Sequence, residues 1–258
     1  SAGMSDLPSL RDVVSASDLI LSVVVPSAAL EVGHGVAKAM ADAGRGVLFA
    51  DANAISPMTS EAIGKAITAV GGRFADVSII GSATNLEGGA TLYVSGEHAP
   101  EFAALRGFGL QIQILGDVVG QASAFKMVYA GLTKGLTSLA VELLVTARAL
   151  GILDQIWEKY RLSHPEIAQF MAHTLPGLPL RATRRSQEME ELSATIEHCG
   201  LSPIMAPASA RVLKGIGDLD LRSRYTEQDE SRWSLMDAVE ILYQGLKRGK
   251  TLGDEEIV

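Results

Sequence analysis

An α/β domain followed by an all-helical domain is the fold class that this 258-residue sequence predicts, on three observations. Short β-branched runs alternate with alanine-rich helical stretches as far as residue 118. Apolar residues then recur at spacings of three and four without a break through 119–150. From there the helical pattern continues between proline and glycine breaks. We therefore expect an α/β domain at 1–118 and a helical domain at 119–258, which begins with a long linking helix at 119–150.

Five strands are expected in the first domain. They are the runs 19–25, 46–51, 73–80, 90–95 and 111–115. Two helices, 27–43 and 60–70, lie between the first three strands, and each is followed by a glycine, Gly44 or Gly71. Nearly continuous apolar strands alternating with helices are typical of a parallel sheet that is covered on both faces. The last two strands lie closer together in sequence, which favours an antiparallel edge.

Composition excludes several classes of protein. Apolar residues make up 47% of the chain and the net charge is −8, so a binder of nucleic-acid backbones is disfavoured. The longest apolar run, 19–30, is interrupted by Pro26 and predicts no membrane-spanning helix. Cys199 has no partner for an internal disulfide, and no basic-then-apolar leader opens the chain, so we expect a cytoplasmic protein. Scattered histidines without paired thiols predict no metal site.

Ligands of parallel α/β sheets bind beyond the carboxyl ends of the strands, so the segments that follow the strands are the first candidates for a site. Four such segments stand out: 24–27, 51–57, 76–82 and 116–120. Each also has a purely structural interpretation, because Pro26, Pro57 and Gly120 are residues typical of helix starts. Carboxylates at strand ends, such as Asp51 and Asp76, are often helix caps.

Lys126 is the residue that chemistry singles out. It lies near the start of the long helix between Phe125 and Met127, with Tyr129 and Ala130 on the same helical face. An ammonium group in apolar surroundings needs a partner or a ligand, and burial would favour proton exchange by its amine. The alternative interpretation is a lysine whose charged end reaches into solvent.

The order of these segments resembles the β-hydroxyacid dehydrogenase and 6-phosphogluconate dehydrogenase superfamily, most of all its phosphogluconate-dehydrogenase-like branch. The resemblance spans nearly the whole chain. It is carried by Ser22-Val23-Val24-Val25-Pro26, by Asp51-Ala52-Asn53-Ala54-Ile55-Ser56-Pro57, by the stretch 76–82 followed by Thr91-Leu92-Tyr93-Val94-Ser95-Gly96, and by Gly120-Gln121-Ala122-Ser123-Ala124-Phe125-Lys126. Two later stretches, 130–137 and 185–191, are also similar to that branch. The resemblance implies a Rossmann-type domain followed by an all-helical dimerisation domain, with the long helix between them.

The same resemblance implies roles for individual residues. Lys126 would be the general acid/base that exchanges a proton with a substrate hydroxyl or carbonyl during hydride transfer to or from NAD or NADP. Val25, Pro26, Asn53 and Ala54 would flank the nicotinamide ribose. The substrate's acidic end would bind at Ile80, Gly81 and Ser82.

Three positions depart from the superfamily pattern. Ser78, Ile80 and Ser82 stand where the substrate loop usually has proline, serine and glycine. Ala130 stands where an asparagine usually follows the catalytic lysine, so substrate orientation would depend on Tyr129 or on another segment. A second family lysine, in the helical domain, falls near Gln187.

The largest difference from the superfamily is that the sequence has no glycine-rich phosphate turn. The family begins with a strand, a Gly-x-Gly-x-x-Gly turn and a second strand, and the sequence contains none of these. Gly33-His34-Gly35 is no substitute, because it lies within a helical pattern and not at a strand-to-helix turn. Roughly 50 residues of the family pattern are absent, which predicts an unpaired central sheet edge.

The leading hypothesis is therefore an NAD(P)-dependent oxidoreductase that acts on a small hydroxy or keto acid and forms a homodimer. Two alternatives stay open at this point. One is an imine reductase, which the apolar pair Ile79 and Ile80 would suit. The other is a non-catalytic dimerisation or binding module. The sequence does not decide the substrate, the reaction direction or the choice between NAD and NADP.

Overall fold

The computed structural model describes residues 5–81 and 89–248. Five strands and eleven α-helices are assigned in this part of the chain. The strands are β1 Leu19–Ser22, β2 Leu48–Asp51, β3 Arg73–Gly81, β4 Ala90–Ser95 and β5 Gln111–Gly116. The helices are α1 Leu10–Ala16, α2 Pro26–Ala43, α3 Pro57–Ala69, α4 Ala99–Ala103, α5 Gln121–Ala149, α6 Leu153–Ser163, α7 Pro165–Thr174, α8 Ala182–His198, α9 Met205–Gly217, α10 Glu227–Glu230 and α11 Leu235–Arg248. Short 3₁₀ turns follow α4 and α9.

The five strands form one sheet in the order β1-β2-β3-β4-β5. β1, β2 and β3 pair in parallel, whereas β4 is antiparallel to β3 and β5 is parallel to β4. The expected parallel sheet with an antiparallel edge is thus confirmed. β1 pairs only with β2 among the described strands, so the sheet has the unpaired edge that the sequence predicts.

The sheet has a separate apolar cluster on each side. One cluster packs α2 and α3 against the sheet around Met40, Phe49 and Ile63. The other packs α4 against it around Val94 and Phe102. This two-sided burial explains why the strands are so apolar.

Gly33 of α2 lies against Ile63, a residue of the first cluster, and has a packing function. A Cβ at this position would lie 2.6 Å from Ile63 Cγ2, so the glycine lets α2 and α3 approach closely. Gly33 therefore serves helix packing, and the Gly33-His34-Gly35 stretch lies inside α2, as the sequence predicts.

Element ends differ from the sequence prediction at several places. β1 ends at Ser22 instead of 25, because the next residues turn away before Pro26 begins α2. α3 begins at Pro57, three residues before the predicted start, because Ser56 caps it by accepting a hydrogen bond from the Thr59 N–H. The long helix covers 29 residues, 121–149. The sequence prediction missed the short helices α1 and α4.

The chain divides into two compact units, Ser1–Tyr129 and Ala130–Val258, and α5 continues across the division. The first unit holds the sheet and the second holds α6 to α11. By length and apolar composition alone, α5 would be able to cross a membrane. The expectation of no such helix considered only the apolar run at 19–30. This finding is weak evidence for a membrane, because helices that pack in a protein interior have a similar composition.

Candidate active site at the carboxyl edge of the sheet

The site begins with three polar residues that lie side by side where the parallel strands end. Ser22 pairs with Asp51 in register, and Asp51 pairs with Asp76 on the next strand. All three side chains are buried. Parallel pairing therefore brings the second and third candidate segments of the sequence to one edge, together with the end of β1.

Asn53 connects the ends of β1 and β2. Its side-chain Oδ1 accepts a hydrogen bond from the Val24 N–H at 2.6 Å, and its Nδ2 donates to Ser22 Oγ at 3.0 Å. Its backbone N–H donates to Asp51 Oδ1 at 3.0 Å. These bonds hold the segment after β1 in a defined conformation, although Val24 and Val25 are exposed. The result is an ordered apolar surface at the rim of the sheet.

Asp76 anchors the start of α5. Its Oδ2 accepts hydrogen bonds from the N–H groups of Gly120 and Ser123, both at 3.0 Å, and its Oδ1 accepts one from Ser123 Oγ at 2.7 Å. Ser95 Oγ also donates to Asp76 Oδ2, at 3.0 Å. A carboxylate at a helix amino terminus satisfies N–H groups that have no partner within the helix. Asp76 lies within β3, beside the end of β2, and the helix-cap interpretation of this aspartate is confirmed.

Two serines add further bonds between the sheet and the first turn of α5. Ser95 Oγ accepts a hydrogen bond from the Ala122 N–H at 3.0 Å, and Ser78 Oγ donates to the Ala122 carbonyl at 2.7 Å. Ser78 is one of the departures from the superfamily pattern. Proline, the usual residue there, has no side-chain donor. The substitution thus has a structural reason in this chain.

Lys126 follows one helical turn after these anchors. It is partly buried, and its positive charge acts on Asp51 at the end of β2. Phe125, its neighbour, packs on the ring of Tyr93 from β4 with ring centroids 4.5 Å apart. The anchored first turn and this aromatic contact together fix the helix face that carries the lysine.

Asp51 has an unusual electrostatic environment. Burial raises its pKa from 3.8 to about 6, and the negative charge of Asp76 adds to this rise. The hydrogen bonds from Asn53 and the charge of Lys126 act in the opposite direction. Among the described residues, its buried Oδ2 atom has no hydrogen-bond partner. A carboxyl of this kind keeps its proton more readily than an exposed one.

The other residues predicted for the site lie after β1 and β2 or at the end of β3. Pro26 and Ala54 are buried, Val25 is exposed, and all three follow strand ends at the same edge as Asn53. Ile80 and Gly81 lie at the end of β3, where Ile80 is partly buried and Gly81 is exposed. Their predicted neighbour Ser82 lies outside the described residues.

Tyr129 lies three residues beyond Lys126 on α5, with 54% of its surface exposed. The sequence prediction missed the serines that bind α5, namely Ser78, Ser95 and Ser123. Ser78 was noted only as a departure from the superfamily pattern, and Ser95 and Ser123 only as members of its motifs, so no signal in the sequence indicated their hydrogen bonds. In the described parts of the chain, no three His, Cys, Asp or Glu side chains come together as a metal site would require.

Comparison with known proteins places the chain in a family. Residues 147–216 match a family model described as a domain of unknown function, DUF1932. A curated relative from Methanothermus fervidus, described as an uncharacterized 28.5 kDa protein in the 7S RNA 5′ region, is 30% identical over 209 residues. That match covers 80% of this chain and 78% of the relative.

Solved structures share the two-part fold. A conserved protein of unknown function, reported to be structurally similar to 3-hydroxyacid dehydrogenases, is 27% identical with a TM-score of 0.62, over 86% of this chain and 83% of its own. An imine reductase from Myxococcus stipitatus, solved as a variant in complex with NAD⁺, is 17% identical with a TM-score of 0.52. Its match covers 92% of this chain and 83% of that one. The second likeness concerns the fold alone.

Proposed function

This chain belongs to the β-hydroxyacid dehydrogenase and 6-phosphogluconate dehydrogenase superfamily, and we propose on this basis that it is an NAD(P)-dependent oxidoreductase. Its substrate is a small hydroxy or keto compound that carries a carboxylate. Lys126 is the general acid/base of the reaction.

The observation that carries this proposal is the anchoring of α5 to the sheet. Asp76 binds the first turn of the helix through Gly120 and Ser123, and Lys126 follows one turn later. A general acid/base must stay within reach of the proton it transfers, so its supporting helix has to be rigid. The influence of the lysine on Asp51 supports a position at the carboxyl edge of the sheet, where ligands of parallel α/β folds bind.

The residues of this chain fit the nicotinamide end of the cofactor. Val24 and Val25 offer an exposed apolar surface after β1, and Asn53 keeps that segment ordered. Val25, Pro26, Asn53 and Ala54 would hold the ribose and the ring. The sequence has no Gly-x-Gly-x-x-Gly turn for the pyrophosphate, so these residues account for only part of a dinucleotide site.

The bound cofactor supplies the acceptor or the donor of the hydride. In the oxidation direction, the neutral amine of Lys126 takes the proton of the substrate hydroxyl. The carbon that bears this hydroxyl loses a hydride to the cofactor and becomes a carbonyl carbon. In the reduction direction, the Lys126 ammonium returns the proton to the carbonyl oxygen. Ile80, Gly81 and Ser82 would receive the acidic end of the substrate, and Tyr129 would help to orient it.

Lys126→Met tests the proposed role of the lysine. We expect turnover to fall by about 10²–10⁴-fold, the usual contribution of a general acid/base, while titration of NAD(P)H fluorescence gives an unchanged dissociation constant. Lys38→Met, which removes an exposed lysine from α2, is the matched control and should keep full activity. Undiminished turnover in Lys126→Met would remove the lysine from the mechanism.

A substrate panel tests the class of reaction. Small hydroxy acids and their keto forms should react, whereas cyclic imines should not. Turnover of imines alone would favour the imine reductase alternative, which the partly buried apolar Ile80 would suit. Failure to bind either NAD or NADP would favour a non-catalytic module.

We also propose a homodimer formed through α5. Leu132, Leu136, Leu139 and Leu143 recur at spacings of three and four and expose between 38% and 68% of their surface. A continuous apolar stripe on a helix needs a covering partner. Leu136, Leu139 and Leu143 also line a groove of about 150 Å³ between α5, α6 and α7, to which Phe170 contributes further apolar surface.

Light scattering after size-exclusion chromatography measures the oligomeric state directly. The parent protein should elute as a dimer, and Leu136→Glu should shift it to the monomer. Leu162→Glu changes a leucine of α6 that is 73% exposed and does not line the groove, so this control should stay dimeric. A parent protein that is monomeric at micromolar concentration would contradict the proposal.

A further inference from the structure

Arg185 of α8 is a partly buried arginine whose guanidinium is incompletely hydrogen-bonded among the described residues. Its Nη1 atom is shielded from solvent and has no hydrogen-bond partner in the described part of the chain. Loss of hydration lowers its pKa, and the charges of Arg181 and Arg184 lower it further, although the carboxylates of Glu188 and Glu230 act in the opposite direction. A guanidinium carries five donors, and leaving them unsatisfied away from water is costly. Such groups are usually found with a carboxylate or a phosphate.

Arg185 is one member of a cluster of charged side chains in the second unit. The cations are Lys134, Arg181, Arg184 and Arg185, and the carboxylates are Glu188 and Glu230. Lys134 Nζ lies 2.5 Å from Glu188 Oε2, and Arg184 Nε lies 3.4 Å from Glu188 Oε1. Arg181 forms an ion pair with Glu230 and donates to the Gly177 carbonyl.

The cluster has more positive than negative charge. Four cations and two carboxylates make up the cluster, so its formal charge is +2, although Glu230 Oε2 is also buried without a hydrogen-bond partner in the described residues. The pKa of Lys134 is lowered in the same way as that of Arg185. Burial lowers the pKa of Lys134, and Arg185 and Arg184 lower it further, despite the contact with Glu188. An anion that binds from solvent would reduce this excess of positive charge.

We propose that this cluster is a binding site for a small anion that carries a carboxylate or a phosphate group. This inference goes beyond the proposed function, because it uses neither Lys126 nor the sheet edge. Arg184 keeps 59% of its side chain exposed and Arg181 keeps 38%, so an anion reaches the cluster from solvent.

The start of α8 adds to the attraction. Arg181 occupies the N-cap position, and its guanidinium has no acceptor atom with which to cap the helix. The first-turn N–H groups therefore receive no hydrogen bond from that side chain. Basic residues at a helix amino terminus also oppose the helix dipole, and a bound anion relieves this repulsion.

Thermal unfolding of the full chain tests the proposal with inorganic phosphate and with malonate as probes. Sodium chloride at matched ionic strength is the reference. At about ten times the dissociation constant, either probe should raise Tm by about 3–5 °C over chloride. Comparing the two probes shows whether phosphate or carboxylate is preferred.

Two substitutions identify the binding residues. Arg185→Gln should abolish the anion-dependent rise in Tm, and without anion its Tm should equal or exceed that of the parent protein, because an uncompensated charge is removed. Arg184→Gln removes a more exposed cation, so it should fold and weaken anion binding several-fold even if Arg185→Gln does not fold. Arg211→Gln, at an exposed position of α9, is the matched control and should keep the full response.

Three outcomes would overturn the inference. The first is a parent protein that responds to phosphate and malonate no more than to chloride. The second is a full response in both Arg185→Gln and Arg184→Gln. The third is loss of the response in Lys126→Met, which would assign the anion to the sheet edge instead. The assay needs no catalytic activity, so the proposed oxidoreductase function stands or fails separately.

Discussion

Asp51→Asn should stabilise the protein at neutral pH, against the usual effect of changing a buried residue. The carboxyl of Asp51 is 1% exposed, and its Oδ2 has no partner within the described chain. Its Oδ1 accepts the Asn53 N–H, a bond that the amide oxygen of an asparagine can also accept. The substitution therefore removes a charge and leaves the hydrogen bond from the Asn53 backbone N–H in place.

The magnitude follows from the pKa of Asp51, which burial raises from 3.8 to about 6. Below pH 3.8 the carboxyl is protonated in both the folded and the unfolded chain and causes no pH dependence. Between pH 4 and 6 the unfolded chain loses this proton while the folded chain keeps it, so the free energy of unfolding falls as pH rises. At about 1.4 kcal/mol for each pH unit, the loss is complete above pH 6 and amounts to about 3 kcal/mol.

Urea unfolding of the parent protein and Asp51→Asn at pH 4, 5, 6 and 7 measures this effect. The difference between the two proteins should be small at pH 4 and grow to about 3 kcal/mol at pH 7, because the other carboxylates cancel in the difference. Circular dichroism is the appropriate signal, since Trp157 and Trp233 both lie in the second unit. A difference that does not change with pH, or a variant less stable at pH 7, would refute the reasoning.

Two further substitutions test other contacts of the first unit. Asp76→Asn should reduce stability by about 1–3 kcal/mol, in contrast to the same change at Asp51. An amide group cannot accept every hydrogen bond that the carboxylate accepts at the start of α5. Urea unfolding followed by circular dichroism measures the loss, and a neutral effect would contradict the anchoring role. Gly33→Ala should cost about 1–3 kcal/mol in the same assay, because its Cβ would lie 2.6 Å from Ile63. Gly135→Ala, whose nearest neighbour would be Ser209 Oγ at 4.0 Å, is the control and should not destabilise.

Much of the fold could be predicted from the sequence because it depends on local patterns. The β-branched runs, the glycines after α2 and the uninterrupted helical spacing after residue 118 indicated the sheet, its helices and the long α5 in order. The ends of elements were less predictable. β1 ends three residues early and α3 begins three residues early, because these limits depend on Pro26 and on the Ser56 cap.

The candidate site was predictable only in part. Lys126 was predictable because it is a charged residue within an apolar stretch. The segments after the strands were predictable because ligands of parallel sheets bind beyond the carboxyl ends of the strands. The serines at 78, 95 and 123 could not be recognised, because their hydrogen bonds join residues that lie between 27 and 47 positions apart in the chain. Such partners are chosen by strand register and helix position, which no local pattern records.

The sequence by itself determined which segments are strands and helices and which of them end in polar residues, because spacing and residue type act over a few neighbours. Only the tertiary structure decided what those polar residues do. Asp51 and Asp76 have the same side chain and adjacent strand positions. One lies beside the N–H groups of α5 and accepts their hydrogen bonds, whereas the other is buried with one oxygen unpartnered among the described residues. Both carboxyls are buried, so the number of hydrogen-bond donors within reach separates them, and those donors come together only when the chain is folded.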